Sequence, residues 1–186
     1  MKPFIDDFYS FCDLLKIERT KFCIFVEIGE QKLYLFENGV FKLAFDVSTS
    51  RKPPCCVKDS LGTPLGLHFI DGKIGENEDI DTVFIGRKPV GKISQQPDDT
   101  VNMITTRIMR LRGLQEGVNC GGNVDTFERF VYIHGTNQTE KIGTPNSHGC
   151  VLLAPNDMKK LFDIVDDKSL VYIYTDTPEF AKHKPL

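Results

Sequence analysis

A chain of 186 residues with 40% hydrophobic content is the size of one domain and can bury a substantial core. Its 23 basic and 26 acidic side chains give a net charge of −3, which excludes a field that would attract nucleic acid or an anionic membrane surface. No apolar run approaches the roughly 18 residues of a membrane span.

The first 20 residues carry apolar side chains at helical spacing, namely Phe4, Phe8, Phe11 and Leu15. We predict an amphipathic helix over 1–20 that packs on the rest of the domain, with a partner-binding surface as the alternative. Asp6, Asp7 and Asp13 interrupt any apolar core of a secretion signal, and no small-residue cleavage site follows. We therefore expect a cytoplasmic location, or a periplasmic or cell-wall one if a leader was removed.

Three antiparallel strands are predicted next, over 22–28, 31–36 and 40–48, because apolar residues alternate there. The Asn38-Gly39 pair between two such runs is a strong hairpin signal.

A loop follows over 50–62, and it contains the adjacent thiols Cys55 and Cys56. The six cysteines of the chain have spacings that form no disulfide framework, so we expect them to be mostly reduced. Adjacent cysteines rarely pair, and we interpret these two as solvated loop thiols.

The middle of the chain alternates short strands with polar loops. Strands are predicted over 67–70 and 82–86, and loops over 71–78 and 87–99. His68, on the first of these strands, either lines a substrate cleft or is satisfied by neighbouring groups.

One long strand is predicted over 101–111, since the segment alternates and is rich in β-branched residues. Its alternation places Arg107 and Arg110 on opposite faces. One of them could bind a substrate carboxylate bidentately, with a surface salt bridge as the alternative.

A chemically loaded stretch begins where the apolar run 130–133 ends at His134. Pro145, Asn146 and Ser147 predict a turn that delivers Cys150 to an exposed tip just before a helix over 154–165. A strand over 170–174 then ends the sheet, and 176–186 is a tail.

A cysteine becomes a useful nucleophile only with a base or a positive field nearby. His134 at a strand terminus could serve as that base, and main-chain N–H groups around Gly149 could form an oxyanion hole. Two alternatives stay open from the residues alone. Cys150 could be a buried thiol beside an unrelated imidazole, or His134, His148 and Cys150 could bind zinc, although a fourth ligand is not evident.

The pair of motifs His134-Gly-Thr-Asn137 and Ser147-His-Gly-Cys-Val151, separated by nine residues, resembles the signature of the L,D-transpeptidase (YkuD-type) catalytic domain. The strands over 22–48 ending in Val47-Ser48-Thr49 resemble the opening of that family. The resemblance extends over roughly 22–175, and the segment from Thr106 resembles a short subgroup without an export signal.

The resemblance implies Cys150 as acyl-forming nucleophile, His134 as its base and the Gly135 carbonyl as the group that orients the His134 ring. It implies that His148, Gly149 and the Cys150 amide surround the oxyanion. The family usually has Arg two places after the cysteine, where this chain has Leu152. We also expect contacts with substrate from Ser147, Thr136, Asn137, His68 and Arg107.

We therefore predict a mainly β fold, a two-sheet, largely antiparallel β-sandwich with a few short helices, over 21–175. By resemblance, the chemistry is acyl transfer on peptidoglycan tetrapeptide stems through a Cys150 thioester, without metal or cofactor. An L,D-carboxypeptidase outcome on muropeptides is favoured over 3→3 crosslinking or D-amino acid exchange. A non-catalytic peptide-binding module is the alternative from another class.

Overall fold

The computed structural model describes residues 3–96, 98 and 100–176, with side chains from Ile5 onward. Within this part of the chain the structure is mainly β, as predicted, with ten strands and two α-helices. In chain order these elements are α1 (Pro3–Leu15), β1 (Phe22–Glu27), β2 (Lys32–Glu37), β3 (Val40–Asp46), β4 (Gly66–Ile74), β5 (Thr82–Ile85), β6 (Lys88–Lys92), β7 (Ile104–Gly113), β8 (Tyr132–Gly135), β9 (Val151–Leu153), α2 (Pro155–Ile164) and β10 (Leu170–Tyr174). Short 3-10 turns lie at Ile93–Gln95, Gly122–Val124 and Thr139–Lys141.

Among the strands of the described residues, pairing is largely antiparallel, and only β1 with β10 and β8 with β9 run parallel. Hydrogen bonds join them in the order β3-β2-β1-β10-β4-β7-β8-β9, with the β5–β6 hairpin branching from β7. Two hydrogen bonds of 2.9 Å between Ser48, just after β3, and Leu152 of β9 connect the two ends. The two expected layers are thus parts of one sheet that closes on itself.

The main core lies inside this ring and is completed by α2. Ile24 and Val26 of β1 point into it, together with Ile133 of β8 and Val151 of β9. The alternate residues of β1 point outward, yet every residue of β1 is buried. A strand buried on both faces explains the continuous apolar run in its sequence.

Helix α1 covers the outer face of β1 and β10. Phe8 and Cys12 are 1% exposed and pack with Phe25 and Tyr172 in a second cluster. The Phe8 and Phe25 rings meet edge to face at 4.9 Å between centroids. The Phe4 side chain, which the predicted stripe includes, lies outside the described residues.

Several predicted boundaries are wrong. The predicted loop 87–99 contains β6, an edge strand whose Pro89 and Gly91 argued against a strand. Strand β4 continues to Ile74 beyond a bulge against β7. The three-residue strand β9 separates Cys150 from α2 and was not predicted. The predicted tail lies outside the described residues from 177 onward, and no described helix is long and apolar enough to cross a membrane.

Candidate active site

The turn before β9 carries the candidate nucleophile, and one hydroxyl holds it. Ser147 Oγ donates to the Cys150 carbonyl oxygen over 2.6 Å and accepts the Gly149 N–H over 3.1 Å. Gly149 has a φ of +124°, and an added Cβ would lie 3.4 Å from the Gly62 carbonyl oxygen. A side chain at this φ is strained, so the turn depends on glycine as well as on the serine.

The Cys150 thiol lies half-buried at the start of β9. Its Sγ accepts the Tyr132 N–H over 3.4 Å and lies 3.7 Å from the Phe130 carbonyl oxygen. Burial raises the pKa of the Cys150 thiol to about 11, while the Tyr132 N–H and the Arg129 charge act in the lowering direction. The Cys150 thiol is therefore protonated at neutral pH, and it would need a base to act as a nucleophile.

The His134 imidazole is buried and held in one tautomer. Its Nδ1 lies 2.8 Å from the Gly135 carbonyl oxygen, and a carbonyl only accepts, so Nδ1 carries the proton. The expected orienting contact is present. Burial lowers the pKa of His134 to about 4, so the ring is neutral at pH 7 and its Nε2 has a free lone pair.

The thiol and the imidazole share one face of β8 and β9. Ile133 pairs with Val151 in parallel register, and both side chains point into the core. Tyr132, His134 and Cys150 alternate with them and therefore point to the other face. In this register Cys150 and His134 are diagonal neighbours across the β8–β9 pair. This arrangement suits proton transfer from Cys150 to His134.

Leu152 lies directly opposite His134 in the same register and is 1% exposed. The position at which the resemblance leads one to expect Arg therefore holds a buried apolar side chain beside the imidazole. An apolar neighbour adds to the desolvation that keeps His134 neutral.

His148 is exposed, two residues before Cys150 in sequence, and hydrogen-bonded to Arg51. The Arg51 Nη2 lies 2.7 Å from His148 Nε2, and a guanidinium only donates, so Nε2 accepts and the proton resides on Nδ1. In this tautomer His148, which lines the same cavity as Cys150, carries an Nδ1–H donor.

The predicted oxyanion donors are only partly available. The Gly149 N–H is already engaged by the Ser147 hydroxyl. The Cys150 N–H has no partner among the residues that the structure describes. The main-chain donor that a developing oxyanion can use is therefore that of Cys150.

A cavity of about 280 Å³ opens at the thiol. Two segments that the sequence did not single out form most of it, the end of the 50–62 loop and the residues leading into β8. The lining side chains are Lys58, Asp59, Leu61, Glu128, Arg129, Phe130, Val131, His148 and Cys150. On the same face, Arg87 at the tip of the β5–β6 hairpin donates to the Tyr132 hydroxyl over 3.1 Å.

Two residues from which we expect substrate contacts, His68 and Arg107, are buried. His68 is 0% exposed, with Nδ1 at 3.0 Å from the Gly66 carbonyl oxygen and Nε2 at 3.1 Å from the Thr126 hydroxyl. Its neighbours satisfy it, as the alternative interpretation held. Arg107 is 2% exposed, and its guanidinium packs 5.7 Å from the Phe162 ring centroid under α2, on the core side of β7.

Thr136 and Asn137 hold a neighbouring loop and do not line the cavity. The Thr136 hydroxyl donates to Asn102 Oδ1 over 2.8 Å. The Asn137 side chain accepts the Met103 N–H over 2.8 Å and donates to the Val101 carbonyl oxygen over 3.0 Å. These contacts fix 101–103 beside β8. The substrate contacts expected from Thr136, Asn137 and Ser147 stay predictions.

All six cysteines are free, and Cys55 and Cys56 are half-buried rather than solvated. They line a second, apolar cavity of about 340 Å³ with Val118 and Val124. No group of three or more His, Cys, Asp or Glu side chains in the described residues is arranged to hold a metal ion.

A family model for the L,D-transpeptidase catalytic domain (YkuD) matches residues 21–173. The chain belongs to this family. The match confirms the resemblance drawn from the two motifs around His134 and Cys150. No curated protein matches the chain.

Solved L,D-transpeptidases share the fold at low sequence identity. The enzyme from Stackebrandtia nassauensis is 20% identical, with a TM-score of 0.53 over 87% of this chain and 58% of its own. L,D-transpeptidase 3 from Mycobacterium tuberculosis, solved with a faropenem-derived adduct, is 16% identical, with a TM-score of 0.53 over 82% of this chain and 60% of its own. The Xylanimonas cellulosilytica enzyme is 16% identical, with a TM-score of 0.52 over 84% of this chain and 62% of its own. This chain thus spans about three-fifths of the length of these relatives.

Proposed function

We propose that this L,D-transpeptidase family member is a cysteine acyltransferase that acts on peptidoglycan tetrapeptide stems. The bond cleaved joins the L-centre of the diamino acid to the terminal D-Ala. One observation carries the proposal. A thiol at the mouth of a cavity shares a strand face with an imidazole whose Nδ1 is fixed on the Gly135 carbonyl, which leaves Nε2 as the base.

In the proposed reaction, His134 acts as the base and Cys150 as the nucleophile. His134 Nε2 takes the thiol proton as Cys150 Sγ attacks the scissile carbonyl carbon, and the Cys150 N–H faces the oxygen that becomes negative. The tetrahedral intermediate collapses when the C–N bond breaks and the proton on His134 passes to the leaving amine. The product is free D-Ala and a thioester on Cys150.

We further propose that water is the preferred acceptor, which makes the outcome an L,D-carboxypeptidase. The cavity of about 280 Å³ is at the small end of ligand sites, and such a volume suits the end of one peptide better than a donor and an acceptor strand together. His134, neutral again after the first step, can activate the water that resolves the thioester.

Incubation with a soluble disaccharide-tetrapeptide, followed by mass spectrometry, tests both levels of the proposal. We expect loss of D-Ala to give the tripeptide, with little dimer. Predominant 3→3 dimer, or exchange of terminal D-Ala with added D-amino acids far above hydrolysis, would replace the carboxypeptidase with a transpeptidase. No reaction with any stem peptide would favour the binding module.

A further inference from the structure

Arg129 is the charged side chain most closely built into the Cys150 cavity. Its guanidinium is half-buried and donates to three groups of the covering loop: the Cys55 carbonyl over 3.1 Å, the Ser60 hydroxyl over 3.4 Å and the Gly62 carbonyl over 2.8 Å. Gly62 is also the residue that lies against Gly149 of the nucleophile turn. Arg129 therefore stands between the loop and the thiol.

Among the described residues this cation forms no ion pair with a carboxylate, although the exposed Asp59 attracts it at longer range. No ion pair among the described residues includes Arg129. The other charged groups that line the cavity, Lys58, Asp59 and Glu128, are exposed, so water and salt screen them more strongly. A guanidinium has five N–H donors, and the three contacts leave two of them. A half-buried, unpaired cation in a cavity is suited to bind an anion.

We propose that Arg129 is the specificity-determining residue for a free carboxylate on the residue that follows the scissile bond. The inference rests on the proposed function, because it places the scissile carbonyl at Cys150. In the donor peptide, only the amide nitrogen and one Cα separate that carbonyl carbon from a C-terminal carboxylate. A cation that lines the same small cavity as the nucleophile can therefore reach it.

A carboxylate contact with Arg129 would make the enzyme select peptides that end one residue after the scissile bond. A peptide that continues beyond the scissile bond, or that ends in an amide, offers no carboxylate at this distance and leaves Arg129 desolvated without an anion. The enzyme should then release one terminal residue and leave internal bonds uncut.

Alkylation of Cys150 by two reagents that differ in charge tests the subsite without any peptide. Iodoacetate carries a carboxylate next to the reacting carbon, whereas iodoacetamide is neutral and of similar size. We expect the ratio of iodoacetate to iodoacetamide rates at Cys150, normalised to N-acetylcysteine, to fall about tenfold in Arg129→Gln. The ratio should be largely kept in Arg129→Lys, and unchanged in Lys42→Gln, which removes an exposed charge on β3.

Two outcomes of this labelling would overturn the subsite. One is a wild-type ratio no higher than that of the free thiol. The other is an equal slowing of both reagents in Arg129→Gln with the ratio unchanged, which would mean that Arg129 only anchors the loop or tunes the thiol.

A tetrapeptide stem and its C-terminal amide separate this inference from the proposed function. We expect the wild type to prefer the carboxylate by about tenfold or more in kcat/KM, and Arg129→Gln to lose the preference. Equal processing of both by the wild type would sink the subsite and leave the proposed function standing. No turnover of either, with the labelling ratio intact, would sink the function and leave the subsite.

Discussion

The Ser147 hydroxyl donates a 2.6 Å hydrogen bond to the carbonyl oxygen of Cys150 while it accepts the N–H of Gly149. One side chain thereby sets the backbone at both ends of the nucleophile turn. It also leaves the Cys150 N–H as the donor that the proposed mechanism assigns to the oxyanion.

Ser147→Ala should lower kcat about tenfold, because the Gly149 N–H loses its partner and the Cys150 amide loses its fixed direction. Thr144→Ala is a matched control, since it deletes an exposed hydroxyl that donates to a carbonyl in the same loop. Steady-state release of D-Ala measures both. A Ser147→Ala enzyme at the wild-type rate would contradict the positioning role.

Cys150→Ala and His134→Ala should each remove turnover while the far-ultraviolet circular dichroism is unchanged. Loss of a general base typically costs about 10²–10⁴-fold, and loss of the nucleophile removes the thioester route altogether. Cys120→Ala is the matched thiol control, since Cys120 is half-buried but outside the cavity. Residual activity of His134→Ala near the wild-type rate would show that another group takes the proton.

Two buried imidazoles make the fold sensitive to acid. Burial lowers the pKa of His68 and of His134 to about 4, whereas a histidine in the unfolded chain titrates near 6.5. Their contribution to stability is complete above pH 6.5 and is lost as the pH falls toward 4, because the unfolded chain then binds two protons that the folded chain excludes. Above pH 6.5 each histidine contributes on the order of 3 kcal/mol to the free energy of unfolding.

Glu27 contributes to stability with the opposite pH dependence from the two histidines. Burial raises the pKa of Glu27 to about 7, so the folded chain keeps a proton that the unfolded chain releases above pH 4.5. Near pH 5.5 the two histidines take up about two protons on unfolding and Glu27 releases about one, so unfolding takes up about one proton net. The free energy of unfolding should therefore fall by about 1.4 kcal/mol for each pH unit of acidification. Urea titrations between pH 5 and 6 measure this slope. Glu27→Gln should roughly double it, and an unchanged slope would contradict the burial effect.

Helix α1 lies outside the family match yet contributes to the stability of the sheet. Phe8→Ala should cost about 3–5 kcal/mol in the free energy of unfolding, because the ring is 1% exposed against Phe25 and Tyr172. Leu14→Ala, on the same helix but 66% exposed, should change it by less than about 0.5 kcal/mol. Equal effects of the two substitutions would mean that α1 does not stay docked in solution.

Local patterns predicted the hairpins well, because alternation and the Asn38-Gly39 turn are properties of neighbouring residues. The nucleophile role of Cys150 stays a prediction. Strand β9 is too short to show an alternating pattern. Strand β6 contains Pro89 and Gly91, which are unfavourable in strands, so its sequence does not indicate a strand. The expected cytoplasmic location and the division into 1–20, 21–175 and 176–186 stay predictions.

The substrate contacts were harder to predict than the strands. A motif gives the spacing of Thr136 and Asn137 but not the partner of each polar atom, and both are engaged with the loop at 101–103. Arg129 was missed for the same reason. Its position depends on hydrogen bonds to residues about 70 places earlier in the chain, and no periodicity in the sequence indicates them.

The bridge between Ser48 and Leu152 occupies the open edge of β9, while β8 occupies the other. The nucleophile strand therefore offers no unpaired N–H and C=O ladder for β-augmentation, the main-chain pairing by which many peptide-binding proteins capture an extended ligand. Under the proposed function, a stem peptide cannot lie alongside β9 as an added strand. It has to approach Cys150 end-on and be recognised by its side chains and terminus, which suits a short, branched peptide with D-configured residues that a regular β-ladder would not accept.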